Sequence, residues 1–213
     1  MPTHDTDVLQ TTLDALYLHG PGEAATTRAQ VKLAQTLAAQ ARPLAEAWYD
    51  LLPHSAIGPV FVGVTRRGLC AVRFGLSERQ FVAALHKETG ARPLRSPERA
   101  GAAAQQVGEY LAGRRTAFDV PVDLSSMTAF QQQVLLAACQ IPRGQVRTYS
   151  DLARQIGRPK AARAVGQALG SNPVPIVVPC HRVLAADGSL RGYSGGGGIA
   201  TKERLLRLKG ARA

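Results

Sequence analysis

The sequence predicts an α+β protein in which two domains follow an N-terminal extension. Three observations support this. Strand-like runs separated by turn residues occupy the middle of the chain, short helices joined by a tight turn occupy its last part, and the excess positive charge lies in that last part. We place the extension at residues 1–46, the first domain at 47–119 and the second at 120–213.

The extension is rich in Ala, Gln and Thr. Apolar residues between Val31 and Ala38 recur at helical spacing, so we predict one helix, interrupted at Pro43. The segment has neither the basic start nor the apolar run of a signal peptide. It carries no recognisable chemistry, and an extension, a packing helix and a flexible arm are all open interpretations.

The first domain is predicted to be a small α/β unit with an antiparallel meander. Its strands cover Trp48 to Leu52, Val60 to Val64 and Leu69 to Phe74, with turns at the Pro and Gly residues between them. Two amphipathic helices follow, from Leu76 to Thr89 and from Pro97 to Leu111.

The second domain contains the pattern of a helix-turn-helix. Thr128 is predicted to cap a first helix, Ser150 to cap a short helix that ends at Ile156, and a further helix to run from Lys160 to Leu169. The last of these carries several small residues around Arg163. Small residues favour either tight helix packing or close approach to a DNA groove, and the pattern does not separate the two.

Charge is concentrated at the C-terminal end. The chain has a net charge of +11, and residues 143–213 carry thirteen Lys and Arg against three acidic residues, a net +10. Such a face attracts phosphate groups, although a merely solvated surface has the same composition.

Cys70, Cys139 and Cys180 are few and widely spaced, which argues against a disulfide framework or a structural zinc site and favours a reducing, cytoplasmic compartment. No run of residues is apolar and long enough to span a membrane.

The candidate reactive centre is Cys180, which follows a predicted buried strand from Ile176 to Val178. A buried cysteine is commonly just a small apolar residue. Here, however, His181 can accept the thiol proton and Arg182 adds positive charge, which together favour a reactive thiolate. Glu203, on a predicted helix from Thr201 to Leu208, is our candidate to orient His181, because the region holds few acids.

These residues belong to a longer ordered series, which resembles the methylated-DNA–protein-cysteine methyltransferases, also called O6-alkylguanine-DNA alkyltransferases. The resemblance covers about residues 47–210. The matching segments are Phe130-Gln131, Gly144 to Tyr149, Lys160 to Gly166, Asn172 to Pro175, Pro179 to Val183, Gly192 to Gly196, and Lys202.

The resemblance implies a ribonuclease-H-like first domain and a winged-helix-like second domain that binds alkylated double-stranded DNA in the minor groove. It implies an enzyme that flips O6-alkylguanine out of the duplex and transfers the alkyl group irreversibly to its own cysteine, acting once. We expect no cofactor, no metal, no membrane partner and a monomeric protein. The choice between O6-alkylguanine and O4-alkylthymine stays open.

By position, the resemblance assigns the following roles. Cys180 is the acceptor, His181 deprotonates it through a water, and Glu203 orients His181. Tyr149 protonates the leaving guanine, and Asn172 ties the recognition helix to the active-site turn. Arg163 fills the gap left by the flipped base, beside Lys160, Ala161 and Ala162 on the DNA-facing surface. Val183, Tyr193 and Ser194 contact the guanine or shape its pocket.

This chain departs from the family pattern in three places. The glycine run Gly195 to Gly198 makes the loop before Lys202 two residues longer than expected, Leu135 stands where a tryptophan is usual, and the extension lacks the cysteines of the family's sensor domain. Two other functions account for only part of the sequence. A non-catalytic lesion binder lacks the reactive cysteine that is present here, and a thiol hydrolase explains neither the basic tail nor the helix-turn-helix.

Overall fold

The computed structural model describes residues 46–190, 196 and 198–207. The described residues belong to one compact unit. The helix predicted between Val31 and Ala38 lies outside them. No helix in the described ranges is both long enough and apolar enough to cross a lipid bilayer.

A four-stranded sheet forms the first half of the described chain, in the order β3-β2-β1-β4. Its strands are β1 (Ala47–Leu52), β2 (Val60–Thr65), β3 (Gly68–Phe74) and β4 (Pro93–Arg95). The predicted meander is confirmed, because β2 pairs antiparallel with both β1 and β3. Strand β4, which pairs parallel with β1, was not predicted, since three residues are too few to show an alternating pattern.

Helices α1 (Glu78–Thr89) and α2 (Pro97–Leu111) flank this sheet. Helix α1 begins two residues later than predicted because Ser77 forms a capping box with Gln80. The two helices cover opposite faces, so β2 is buried on both sides. On the α1 face, Phe61 and Phe81 stack with their ring centroids 4.9 Å apart.

The second half of the described chain is mainly helical. It contains α3 (Ala129–Cys139), β5 (Arg147–Thr148), α4 (Tyr149–Gln155), α5 (Ala162–Gly170), a 3-10 turn (Cys180–Arg182), β6 (Val183–Leu184) and α6 (Gly198–Arg207). Helices α4 and α5 form the predicted helix-turn-helix. Their apolar residues, those of α3 and those of α2 share one continuous core with the sheet, so the two halves are not packed as independent bodies.

Three local predictions in this half need correction. Thr148, not Ser150, caps α4, because its hydroxyl accepts the Asp151 amide at 3.1 Å in a capping box. Helix α5 begins at Ala162 rather than Lys160, after a turn. The predicted strand from Ile176 to Val178 is instead a tight turn in which Ile176 has a φ of 78°. The predicted Thr128 cap of α3 is confirmed.

Candidate active site

Cys180 sits at the start of a 3-10 turn, directly after the tight turn that replaces the predicted strand. Its backbone N–H donates to the carbonyl of Val178 at 2.8 Å, and the amide of Arg182 donates to the carbonyl of Pro179 at 2.9 Å. The backbone around the thiol is therefore held by local hydrogen bonds. Cys180 is buried, with only 6% of its surface exposed.

Asn172 connects this turn to the helix-turn-helix, because it lies just beyond the end of α5. Its Nδ2 group donates to the carbonyl of Val178 at 3.1 Å and to the Sγ atom of Cys180 at 3.2 Å. Its Oδ1 atom accepts the amide of Val174 at 3.0 Å. One buried side chain thus fixes both ends of the active-site turn and touches the sulfur.

Burial raises the pKa of the Cys180 thiol above its ordinary value. The hydrogen bond from Asn172, the charge of Lys202 and the backbone N–H groups of Cys180 and His181 act in the opposite direction. Because burial has the largest effect, the resting sulfur is a protonated thiol surrounded by groups that favour its anion. Such a site needs a base at the moment of reaction.

His181 is fully buried directly beside the thiol in sequence. Arg182 is also buried, but it does not supply the positive charge that we predicted near the sulfur. Its guanidinium donates to the carbonyl of Ile141 at 2.7 Å and to the hydroxyl of Tyr110 at 3.0 Å. Arg182 therefore ties the active-site turn to α2 and to the end of α3.

Lys202, and not Arg182, supplies the positive charge near the Cys180 sulfur. The sequence did not lead us to predict this role. Lys202 lies on α6, is buried, and donates from Nζ to the carbonyl of Val183 at 2.6 Å. Burial lowers the pKa of its ammonium, while the charge of Cys180 raises it. The signal was present in the sequence, because Lys202 stands three and four residues before the apolar pair Leu205 and Leu206 on one helix face.

The prediction that Glu203 orients His181 does not hold in this structure. Glu203 lies on the exposed face of α6, and its carboxylate pairs with Arg207 at 2.5 Å. One residue corresponds to about 100° around a helix, so burial of Lys202 turns Glu203 toward solvent. An exposed pair of this kind contributes little to stability and cannot fix a buried imidazole.

Tyr149 is half-buried at the first position of α4. Burial raises the pKa of its phenol, and the nearby charge of Cys180 raises it further, so the hydroxyl stays protonated at neutral pH. Val183 is buried, with its backbone N–H directed at the carbonyl of Cys180 and its carbonyl accepting from Lys202. Tyr193 and Ser194 lie outside the described residues.

At the start of α5, the helix-turn-helix carries basic side chains next to small ones. Arg163 and Lys160 are exposed, whereas Ala161 and Ala162 are half-buried. A Cβ added at Gly166 of α5 would lie 3.7 Å from the ring of Tyr149. The residues predicted to face DNA therefore lie in the turn before α5 and in its first turn, and α5 also packs against Tyr149 of α4. Within the described residues, His, Cys, Asp and Glu side chains form no group of three that could hold a metal ion.

Comparison with known protein families gives two adjacent matches. Residues 48–124 match the ribonuclease-like domain of 6-O-methylguanine DNA methyltransferase, and residues 129–211 match the DNA-binding domain of the same family. The α+β fold class and the ribonuclease-like nature of the first domain are thus confirmed.

Individual relatives agree with these matches. A methylated-DNA–protein-cysteine methyltransferase of Mycobacterium bovis is 53% identical over 111 residues, which cover 52% of this chain and 66% of that protein. The inducible enzyme of Bacillus subtilis is 40% identical over 76% of this chain and 84% of its own length. A crystal structure of Mycobacterium tuberculosis OGT in complex with DNA superposes with a TM-score of 0.63 at 39% identity, covering 79% of this chain and 96% of that one.

Proposed function

Because this chain belongs to the methylated-DNA–protein-cysteine methyltransferase family, we propose that it repairs DNA by moving the alkyl group of O6-alkylguanine onto the Sγ atom of Cys180. One observation carries the proposal. Cys180 is a buried thiol that accepts a hydrogen bond from Asn172 and lies within reach of the Lys202 charge. Burial keeps the resting thiol protonated, but the Asn172 hydrogen bond and the Lys202 charge stabilise the thiolate that forms when a base removes the proton, and the thiolate is the form that attacks carbon.

The reaction is an in-line displacement at the alkyl carbon. His181 removes the thiol proton, the sulfur forms a bond to the carbon, and the bond between that carbon and O6 breaks with its electrons passing to guanine. Tyr149 donates a proton to the departing guanine, and the proton taken by His181 replaces it, so charge and protons balance. The raised pKa of Tyr149 suits it to this role, because the phenol is still protonated when the leaving group needs its proton.

Delivery of the lesion depends on the helix-turn-helix. The small residues Ala161 and Ala162 let the start of α5 approach the minor groove closely, while Lys160 contacts phosphate. Arg163 is exposed and long enough to fill the space that a flipped base leaves in the stack. Asn172 then couples α5 to the cysteine turn through its three hydrogen bonds.

The product is an S-alkylcysteine, a thioether that water does not hydrolyse. The protein therefore acts once, and repair is stoichiometric. Since the substrate is DNA, the proposed site of action is inside the cell.

Stoichiometry tests this proposal directly. A fixed amount of protein is titrated with a duplex oligonucleotide that contains one O6-methylguanine, and the restored guanine is counted. We expect repair to stop at one lesion per protein, with Cys139→Ser repairing as the wild type does, because Cys139 is an exposed residue at the end of α3 whereas the proposed acceptor Cys180 is buried. Continued turnover would favour a hydrolase, and tight binding without repair would favour a lesion binder.

A further inference from the structure

A chain of hydrogen bonds connects the sheet of the ribonuclease-like domain to the reactive sulfur. It begins at Arg73, near the end of β3, whose guanidinium donates from Nη1 to the carbonyl of Pro173. The amide of Val72 donates to the same carbonyl at 2.9 Å. Pro173 directly follows Asn172, the residue that contacts the sulfur, so β3 holds the backbone next to that contact.

The carbonyl of Pro173 and the amide of Val174 belong to one planar peptide unit and point in opposite directions. Arg73 donates to the oxygen of this unit, and the Oδ1 atom of Asn172 accepts its N–H at 3.0 Å. The Nδ2 group of Asn172 in turn donates to the Sγ atom of Cys180 at 3.2 Å. Two amide groups, the peptide unit and the Asn172 side chain, thus lie in series between the guanidinium and the sulfur.

Every bond in this chain has its donor on the side of the guanidinium and its acceptor on the side of the sulfur. A cation at a carbonyl oxygen draws electrons from the amide, so the N–H at the other end becomes a stronger donor. Hydrogen bonds in such a chain strengthen one another by about 10–30% each, and Asn172, Pro173 and Val174 are all buried, where this effect is largest. The Asn172 amide therefore becomes a better donor to Cys180, and a donor to sulfur favours the thiolate over the thiol.

Arg73 is itself held in place. Its Nη2 group donates to the carboxylate of Glu88 on α1 at 2.7 Å, and its Nη1 group also donates to the carbonyl of Val72 at 3.1 Å. Only 23% of its side chain is exposed. Because a guanidinium is always charged in proteins and its planar fork serves several acceptors at once, Arg73 provides a fixed, charged donor at the start of the chain.

We propose that Arg73 is a positioning residue for the transfer reaction, which stabilises the anion of Cys180 through the Pro173–Val174 peptide unit and the side chain of Asn172. This inference rests on the proposed function, in which Cys180 is the acceptor. The ribonuclease-like domain supplies none of the residues proposed to touch the alkylated base, yet it takes part in the chemistry through this chain. The bonds made and broken are those of the proposed transfer.

Asn172 is the only asparagine in the sequence, which makes it a selective reporter of the thiol. Protein isotopically labelled in the asparagine side chain gives one pair of amide proton signals in an NMR spectrum, and the proton bound to Sγ shifts when the thiol ionises. In Arg73→Met the midpoint of this titration should rise by about half a pH unit, a roughly threefold smaller thiolate fraction at neutral pH. Arg115→Met is the matched control, because Arg115 is 25% exposed, pairs with Glu109 and lies outside the chain.

A conservative variant keeps the test decisive. Arg73→Lys retains the charge, but a lysine cannot serve the Pro173 carbonyl and Glu88 together, so its midpoint should lie between those of the wild type and Arg73→Met. If Arg73→Met does not fold, Arg73→Lys alone decides in the same way. A wild-type midpoint in the folded Arg73 variants, or an equal rise in Arg115→Met, overturns the proposal. The titratable groups nearest the sulfur are unchanged in all of these variants; they are Lys202 on α6, Tyr149 on α4 and the adjacent His181.

A double-mutant cycle tests the route and separates this inference from the transfer activity. Cys180 is alkylated with chloroacetamide in a Cys139→Ser background, because Cys139 is exposed and would react, whereas burial raises the pKa of Cys70 to about 12. Arg73→Met should slow this reaction about threefold at neutral pH, and it should add no further slowing in Asn172→Ala, where the chain is already broken. Equal slowing in both backgrounds overturns the proposal. Neither measurement uses DNA, so a protein that shows both effects but does not repair O6-methylguanine refutes only the proposed function.

Discussion

Removal of the Asn172 side chain is predicted to weaken both the fold and the reactivity of the thiol. Asn172→Ala leaves the carbonyl of Val178 and the amide of Val174 without their side-chain partner, and both residues are buried. A buried backbone group that loses its hydrogen bond costs about 1–3 kcal/mol. The carbonyl of Val178 keeps its hydrogen bond from the amide of Cys180, so only the amide of Val174 is left unsatisfied. The free energy of unfolding should therefore fall by roughly 1–3 kcal/mol, measured by urea denaturation.

The same substitution removes a hydrogen-bond donor from the sulfur. Since that donor lowers the pKa of Cys180 against the effect of burial, its loss should raise the pKa further. The pH profile of alkylation by chloroacetamide should therefore move to higher pH in folded Asn172→Ala protein. At neutral pH the rate should fall about tenfold for each unit of increase, because the thiolate is the reacting form.

The neighbouring Ser171 provides the control. It is exposed and its hydroxyl hydrogen-bonds to the last turn of α5, with no contact to the sulfur. Ser171→Ala should leave the pH profile where it is in the wild type. The reasoning fails if Asn172→Ala loses less than about 0.5 kcal/mol, the size of an ordinary surface substitution, or if its pH profile matches that of Ser171→Ala.

Other substitutions test separate parts of the account. Lys202→Met removes the ammonium that lowers the pKa of Cys180, so the reactivity profile should shift to higher pH, and an unshifted profile would show that this charge is not felt at the sulfur. Arg163→Ala should slow repair of O6-methylguanine in duplex DNA at saturating DNA while leaving alkylation of Cys180 by chloroacetamide unchanged; equal loss in both reactions would contradict a role in base flipping. Gly68→Ala places a Cβ 2.2 Å from the carbonyl oxygen of Pro121 at a φ of 135°, so the urea midpoint should drop by more than that of the solvent-facing substitution Gly113→Ala.

The regular elements could largely be predicted, because the signals that produce them are local. Thr128 caps α3 and Pro97 starts α2, as side-chain and ring chemistry require. The β1 to β3 meander follows from alternating and continuous apolar runs. At α4, Ser150 was predicted to be the cap, but Thr148, two residues earlier, caps the helix because Asp151 completes a capping box with it.

The details of the site depend on contacts that local patterns do not encode. Ile176 adopts a positive φ, which β-branched residues rarely do, so an apolar run typical of a strand becomes a turn. Glu203 was predicted to orient His181 because few acidic residues are present in the region. Helix α6 instead turns Lys202 toward the core and Glu203 toward solvent. Arg182 was predicted to act on the sulfur, but the packing of α2 brings Tyr110 to it instead.

The most direct test of the central claim is the mass of the protein after contact with its proposed substrate. The full chain is incubated with an O6-methylguanine duplex, its intact mass is taken, and the modified peptide is sequenced. The account predicts one added methylene unit on the peptide that contains Cys180, and none in Cys180→Ser. An unchanged mass, or a methyl group on Cys139 instead, would contradict it.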